Sequence, residues 1–327
     1  MAAVDLSVVI PIRNEEASLP ELARELIDTL SRWGRPFEIL VVDDGSTDGS
    51  FDILARLQAA EPRLRVIRFR RNFGQTAAFA AGFDHARGRY IVTMDGDLQN
   101  DPAEIPAMIE ALERGADIVC GWRKHRRDPF VSRRLPSMLA NALISRVTGV
   151  HLHDYGCSLK AFRAEIVKPM KLYGEMHRFL PAIASEQTSN IVEVPVHHRP
   201  RLHGTSKYGI GRTVRVVLDL LTVKFLLTYS TRPLQLFGLI GGSMTLVGAL
   251  ISAYLAFERL REQISLNAHQ PLLLLGVVLI MTGVQLMTLG LLAEIQARTY
   301  HESQNKPIYV IREIRETQPV ERIFSTR

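Results

Sequence analysis

Two carboxylates one residue apart, Asp95 and Asp97, stand in the run Asp95-Gly96-Asp97-Leu98-Gln99, directly after the apolar segment 90–94. Carboxylates this close repel each other, and at the end of a buried strand they are costly unless a cation neutralises them. Oxygen ligands of this kind suit Mg²⁺ or Mn²⁺ whose coordination shell is completed by substrate phosphates. Asp95, Asp97 and Gln99 are therefore candidate metal ligands, although an Asp-x-Asp triplet alone also arises by chance. A second acidic cluster, Asp43-Asp44-Gly45-Ser46-Thr47-Asp48-Gly49-Ser50, follows the apolar segment 37–42. Asp and Ser commonly cap the helix after such a turn. Equally, carboxylates placed there can take hydrogen bonds from a ribose or a base.

Cations gather elsewhere. Arg123, Lys124, Arg126, Arg127, Arg133 and Arg134 form one group, and Arg199, Arg201 and Lys207 another. Solvated or lipid-facing charge accounts for several of them, yet arginine also grips phosphate bidentately. No nucleic-acid-binding motif accompanies them, so nucleic acid is not an expected partner. His151, His153, His197 and His198 lack the spacing of a zinc site. In His153-Asp154-Tyr155-Gly156 the aspartate has the ordinary role of capping a turn as one reading.

These clusters must be held by something rigid. Over the first 230 or so residues, apolar runs at 6–11, 37–42, 64–68, 90–94 and 117–121 alternate with helical patterns at 20–33, 48–61, 75–86 and 104–114. That alternation predicts an α/β domain with a mostly parallel sheet. Helix starts are marked by capping boxes, Ser18-Leu19-Pro20-Glu21 and Asp101-Pro102-Ala103-Glu104. Ligands of open parallel sheets bind outside the carboxyl ends of the strands, which is where the acidic clusters fall. Further on, 137–147 reads as a helix, 191–198 as a strand, and 212–227 as a helix at a membrane surface.

The chain has 327 residues, 46% of them apolar and 23% charged, with a net charge of +6. Such a composition excludes a disordered chain, and two cysteines, Cys120 and Cys157, exclude a disulfide scaffold and fit a reducing compartment. Charge is absent from 234–257 and 271–293, runs of 24 and 23 residues. At ~1.5 Å per residue each exceeds the ~30 Å hydrocarbon core of a bilayer. Buried helices of a large soluble core are the alternative, disfavoured because two such runs lie close together. Lys207, Arg212, Arg215, Lys224 and Arg232 precede the first run, and Arg298, Lys306, Arg312 and Arg315 follow the second. The positive-inside rule then puts both flanks in the cytoplasm. Arg13, Glu15 and Glu16 interrupt the short apolar start, so a secretory signal is not expected.

Taken together, Val8-Val9-Ile10-Pro11-Ile12-Arg13-Asn14-Glu15, Val41-Val42-Asp43-Asp44-Gly45-Ser46 and Asp95-Gly96-Asp97-Leu98-Gln99 resemble the family 2 glycosyltransferases of the GT-A fold. Asn72-Phe73-Gly74-Gln75, the run from His153 to Arg163, and Gly204-Thr205-Ser206-Lys207-Tyr208 look like its polyprenyl-phosphate branch. That branch holds dolichyl-phosphate mannosyltransferases and bacterial undecaprenyl-phosphate sugar transferases, including the 4-deoxy-4-formamido-L-arabinose and glucose types. The likeness covers nearly the whole chain. Gly96 stands where many members carry Ala, and the Gln-x-x-Arg-Trp motif of processive synthases is absent.

The resemblance implies an inverting enzyme that moves one sugar from a UDP-sugar to undecaprenyl phosphate at the cytoplasmic face of a bacterial inner membrane, serving cell-envelope glycan or lipid A modification. It implies Mg²⁺ or Mn²⁺ on Asp95, Asp97 and Gln99, with Asp97 catalytic through the metal. Pro11, Asn14, Glu15, Asp43, Asp44 and Asp95 would hold the nucleotide sugar. Arg123, Arg133, Arg201 and Lys207 would meet the lipid phosphate, with Asp154 orienting the acceptor or taking a residual proton. A phosphomonoester is already mostly dianionic at neutral pH, so a strong base is not required. The implied layout is a GT-A domain at 1–209, a juxtamembrane interfacial helix at 210–232, two transmembrane helices with a short periplasmic loop at 233–293, and a cytoplasmic tail at 294–327. Related enzymes assemble as homotetramers. Two rivals stand beside this reading: transfer to a neutral lipid hydroxyl, and a non-catalytic membrane assembly subunit.

Overall fold

The structure is a computed structural model that describes residues 4–124, 141–172 apart from 143 and 147, 176–200, 233–262, 269–303 and 308–317. The chain divides into two units, Met1–Leu220 with Pro307–Arg327, and Leu221–Lys306.

In the first unit, β1 (Leu6–Ile12), β2 (Phe37–Asp43), β3 (Leu64–Phe69), β4 (Tyr90–Thr93), β5 (Ile118–Trp122), β6 (Lys160–Arg163), β7 (Ile191–Pro195) and β8 (Ile311–Arg315) form one sheet. Their order is β7-β5-β6-β4-β1-β2-β3-β8. Strands β1 to β4 are mutually parallel, as are β5 and β7, whereas β6 and β8 run antiparallel to their neighbours. The continuous apolar runs of β1 and β2 follow from burial on both faces, which is the rule for parallel sheets. Helices α1 (Leu19–Trp33), α2 (Ser50–Ala60), α3 (Gln75–His85) and α4 (Ile105–Glu113) are the crossovers. Leu22, Leu26 and Leu30 of α1 are buried in the core, each contributing about 1.5–3 kcal/mol of transfer free energy.

The strand order reverses at β1: the chain passes outward through β2 and β3, then returns to place β4 on the other side of β1. A crevice opens outside the carboxyl ends at such a switch point. Residues 13–15 and 94–101 flank it, and the segment after β2 closes one side. Because β5 and β7 point the same way as β4, the residues following them reach the same edge of the sheet.

Several expectations change. Ser18 does not cap α1: its backbone is already helical, and its Oγ donates to Glu15 O and Oε2, both at 3.1 Å. Asp101 does cap, accepting from Ala103 N at 3.0 Å, and the 3₁₀ turn Pro102–Glu104 leads into α4. The segment expected as a strand to residue 198 leaves the sheet after Pro195. Residues 141–146 include helical positions within the helix expected at 137–147, while the surface helix expected at 212–227 lies outside the described residues.

Strand β8 was not expected in the polar tail. It pairs with β3, and a buried charge network secures it. Arg65, itself buried, donates to Glu38 and to Glu316, each at 2.8 Å, while Ser7 Oγ donates to Glu38 at 2.6 Å. Tyr309 adds a stacked contact with Phe69 at 5.2 Å and a hydrogen bond to Asp84 at 2.8 Å. Glu316 shares the buried Arg65 guanidinium with Glu38, so the tail is tied to the sheet by an ion pair as well as by the β8 ladder.

The second unit is a pair of helices, α5 (Pro233–Glu262) and α6 (Gln270–Ser303). Phe237–Arg261 and Gln270–Leu292 are long and apolar enough to cross a membrane, with mean hydropathy 1.7 and 2.3. Leu239, Leu246, Leu250, Leu274 and Met281 point outward. Gly241 faces Gly283 and Gly248 faces Gly276 so closely that a Cβ on Gly241 would meet the Gly283 carbonyl, and one on Gly248 the Gly276 carbonyl. Small residues bring helix backbones together in this manner in lipid, and the paired numbers show that the helices are antiparallel.

Candidate active site

The turn after β4 is built under strain. Leu98 is buried with φ of 63°, a left-handed conformation that costs a non-glycine residue about 1–2 kcal/mol. That twist folds Gln99 N back onto Asp97 Oδ1 at 3.1 Å and turns both carboxylates to the crevice end of β4. Asp95 Oδ1 accepts from Gln75 Nε2 at 2.8 Å, and Asn100 Oδ1 accepts from Asp95 N at 3.2 Å and Ser158 Oγ at 2.9 Å. Burial first, then the charge of Asp97, pushes the Asp95 carboxyl above its usual range, while Ser158, Lys160 and Arg123 oppose the rise. Two carboxylates on one turn are oxygen donors of the kind a hard divalent cation takes. Among the described residues no group of three or more His, Cys, Asp or Glu gathers. Asp95, Asp97 and Gln99 fit Mg²⁺ or Mn²⁺ on this chemistry.

Across the crevice, the residues after β1 and β2 interlock. Asn14, with φ of 57°, receives Thr47 N on its Oδ1 at 2.9 Å, and its own N–H reaches Ser46 Oγ at 3.0 Å. Glu15 N donates to Ser50 Oγ at 2.9 Å. Pro11 sits in β1 opposite Val42. Asp43 is fully buried: Oδ1 accepts from Ser46 N at 2.8 Å, but Oδ2 takes no hydrogen bond. Arg68 is 3.7 Å from that oxygen, its guanidinium stacked on Phe51. An acceptor buried without a donor is expensive, and the Arg68 charge beside Asp43 Oδ2 offsets part of that cost.

Asp44 has another job. Its Oδ2 accepts from Asn72 Nδ2 at 2.6 Å and Gly74 N at 3.0 Å, and its Oδ1 from Phe73 N at 2.6 Å. Burial raises its pKa, and the Phe73 and Gly74 amides pull it back. Gly45, at φ of 67°, packs so near Arg71 and Asn72 that a Cβ would lie 2.6 Å from the Arg71 carbonyl carbon. Asp44, expected to hold nucleotide, also holds the 72–74 loop, and through it the start of α3, where Gln75 reaches Asp95.

At the end of β5, Arg123 and Asp154 meet. Arg123 Nε and Nη2 donate to the two Asp154 oxygens at 2.7 and 2.9 Å, and Arg123 N and Gly156 N donate at 3.3 and 3.2 Å. Arg123, expected at the lipid phosphate, is paired with Asp154 in this structure. Its pKa is pulled down by burial and lifted further by Asp154, so it stays charged. Glu193 supports the loop from β7 by accepting from the N–H groups of His153 and Asp154. Lys160, buried on β6, donates to the carbonyls of Tyr155 and Cys157. Arg133, Arg201 and Lys207 lie outside the described residues. Burial pushes the Cys120 thiol up to about 12 and raises Cys157 as well, so neither thiol is a nucleophile. Gln75, Ser158, Lys160 and Glu193 had no assigned role in the sequence; the first three lie inside quoted motifs, and nothing local marks Glu193.

An α/β sheet with an Asp-x-Asp turn at its switch point and an acidic turn after β2 is the arrangement of a glycosyltransferase of GT-A type. Residues 7–170 match the profile of glycosyl transferase family 2. The chain is 47% identical over 316 residues, covering 95% of itself and 93% of the relative, to a dodecaprenyl-phosphate galacturonate synthase from Rhizobium johnstonii. It is 41% identical, covering 95% and 91%, to an undecaprenyl-phosphate 4-deoxy-4-formamido-L-arabinose transferase from Pseudomonas paraeruginosa. In fold it is similar to glucosyl-3-phosphoglycerate synthase from Mycobacterium tuberculosis solved with Mn²⁺, UDP and phosphoglyceric acid, with a TM-score of 0.53, 18% identity, and coverage of 68% and 78%. The chain belongs to glycosyl transferase family 2, as an enzyme whose relatives are polyprenyl-phosphate sugar transferases.

Proposed function

We propose that this enzyme transfers a single sugar from a UDP-sugar to undecaprenyl phosphate or a similar polyprenyl phosphate, with inversion at the anomeric carbon. The observation that carries the reading is near-full-length similarity to two polyprenyl-phosphate sugar transferases. Asp43 Oδ2 and the Asn14–Glu15 turn hold the nucleoside, with Pro11 shaping the floor. Asp95, Asp97 and Gln99 would hold a divalent cation, which would supply positive charge against the departing UDP diphosphate. The acceptor phosphate oxygen attacks the sugar carbon directly and needs no covalent enzyme intermediate. Asp154, clamped by Arg123, orients the acceptor side, while Arg133, Arg201 and Lys207 bring cations to the lipid phosphate. A neutral hydroxyl acceptor would demand a free base, and both oxygens of Asp154 are engaged by Arg123, which favours the phosphate. The intact turn with Asp95, Asp97 and Gln99 argues against a non-catalytic subunit.

The products serve cell-envelope glycan or lipid A modification, and the enzyme works as a homotetramer at the bacterial inner membrane. The test is a screen of UDP-sugars with undecaprenyl phosphate in detergent, beginning with UDP-galacturonate because the 47% relative is named for galacturonate. Metal-dependent release of UDP coupled to a glycolipid is expected; no transfer to any polyprenyl phosphate, with transfer to diacylglycerol, would overturn the acceptor.

The same reading places 1–209 and the tail on the cytoplasmic side. Strand β8 belongs to the sheet begun by β1, so the chain leaves for the membrane and returns on one side. A cysteine at Asn267, in the connector between the two spans, is expected to label with a membrane-impermeant reagent from the periplasm. Labelling there only from the cytoplasm would reverse the topology.

A further inference from the structure

After β7, residues 196–199 leave the sheet and run beside the Asp95–Asn100 turn. Val196 N donates to Trp122 O at 3.0 Å, Asn100 and His198 form an antiparallel bridge, and Arg199 N donates to Gln99 O at 2.9 Å. Arg199 also spans Glu25 at 2.8 Å and Asp101 at 3.0 Å, which anchors this strap to α1 and to the cap of the next turn. Gln99 therefore sits between the acidic turn and the strap. Its amide nitrogen lies 3.4 Å from His198 Nε2 and 3.5 Å from the Arg199 carbonyl oxygen.

Those two neighbours decide which way the amide faces. A carbonyl oxygen can only accept, so the Gln99 nitrogen must be the branch turned to the strap. The nitrogen can only donate, so in this contact His198 Nε2 is the acceptor. Gln99 Oε1 is then the branch directed away from the strap, and it takes no hydrogen bond from the described residues. An amide has one ligating oxygen; turned over, it would present N–H to a cation and repel it. A ligand of this type needs an outer partner that fixes its orientation.

We infer that His198 is a positioning residue for the metal site: together with the Arg199 carbonyl it holds the Gln99 amide with Oε1 toward the cation. The inference rests on the metal-dependent reading above. It concerns orientation alone, and this makes it separable from a structural role, because a carboxylate at position 99 has two equivalent oxygens and needs no such guidance.

Mn²⁺ binding to the full chain in detergent, with UDP present, is measured from the electron paramagnetic resonance signal of the free ion. Wild-type protein is expected to take up Mn²⁺. His198→Ala is expected to weaken it about three- to tenfold, the worth of one modest hydrogen bond, with the metal-free melting temperature unchanged. Gln99→Glu is expected to bind Mn²⁺, and the double variant His198→Ala, Gln99→Glu to bind it as well as Gln99→Glu alone. Equal loss from His198→Ala in both backgrounds would overturn the inference, since the histidine would then act as a ligand or through general structure. Unchanged affinity in His198→Ala would overturn it too. A wild-type chain that takes up no Mn²⁺ with UDP would remove the metal reading itself, a result distinct from either.

Discussion

Asp97→Asn is expected to fold and insert normally while losing transfer by about 10²–10³-fold, the range seen when one preorganised electrostatic contact to a developing charge is removed. Folding survives because asparagine keeps an acceptor at Oδ1 for the Gln99 N–H, the contact that closes the turn. Without metal, stability should not fall. Asp97 is the second cause, after burial, of the raised Asp95 carboxyl, so deleting its charge relieves a repulsion. The pH dependence follows with a definite sign. A carboxyl raised in the folded state contributes stability below its unfolded value, and that contribution is lost as pH rises through the folded value. The metal-free wild type should show this loss from Asp95, and Asp97→Asn should show less of it. With metal the order reverses. Mn²⁺ and UDP at about 100 times their dissociation constant stabilise a binding protein by about 2.7 kcal/mol, a gain the variant should forfeit. Thermal melts with and without Mn²⁺ and UDP, beside turnover assays, check both parts. Wild-type turnover at saturating Mg²⁺ and Mn²⁺ would take Asp97 out of the site.

Why the acidic turn could be read from the chain and its supports could not comes down to distance in sequence. Strands β1 to β5 are apolar runs bounded by polar clusters, and burial on both faces makes such runs stand out at almost their true lengths. Strand β8 reads Ile-Arg-Glu-Ile-Arg: an edge strand with exposed positions, followed directly by Glu316, which Arg65 and Arg87 meet across 251 and 229 residues. Strand β6 begins with Lys160, a residue that argues against burial until Tyr155 and Cys157 supply carbonyls. Asp44 shows the same limit at the site. Its type and place marked it for a ligand, but its partners, Asn72 to Gly74, arrive over a crossover helix. Arg123 and Asp154 were each visible as single charges aimed at an acceptor. That they are aimed at each other depends on β5 and the 154–156 turn meeting at one edge of the sheet, which no local pattern encodes.

That pairing yields the second large effect. Arg123 and Asp154 are buried to 16% and 4% side-chain exposure, and breaking a buried pair by truncating one member costs about 3–5 kcal/mol. Asp154→Ala should therefore lower stability by that amount, with Arg123 left charged and Gly156 N left without its acceptor. Asp154→Asn keeps the shape and isolates function. If the carboxylate orients the acceptor only while clamped by Arg123, the two residues act as a unit. Asp154→Asn and Arg123→Met should then each reduce kcat about 10²-fold, the scale of a misplaced reacting group, and the double variant should lose little more. UDP binding in the presence of Mn²⁺ should be unchanged in all three, because the residues proposed to hold the nucleoside lie across the crevice after β1 and β2. A base acting alone would behave differently: Asp154→Asn would abolish turnover while Arg123→Met retained it. The clamped geometry favours the first pattern. A dianionic phosphate arrives able to attack, so what it requires from this side of the site is a fixed approach to the sugar carbon, and a carboxylate held by four donors supplies rigidity better than it supplies a proton acceptor.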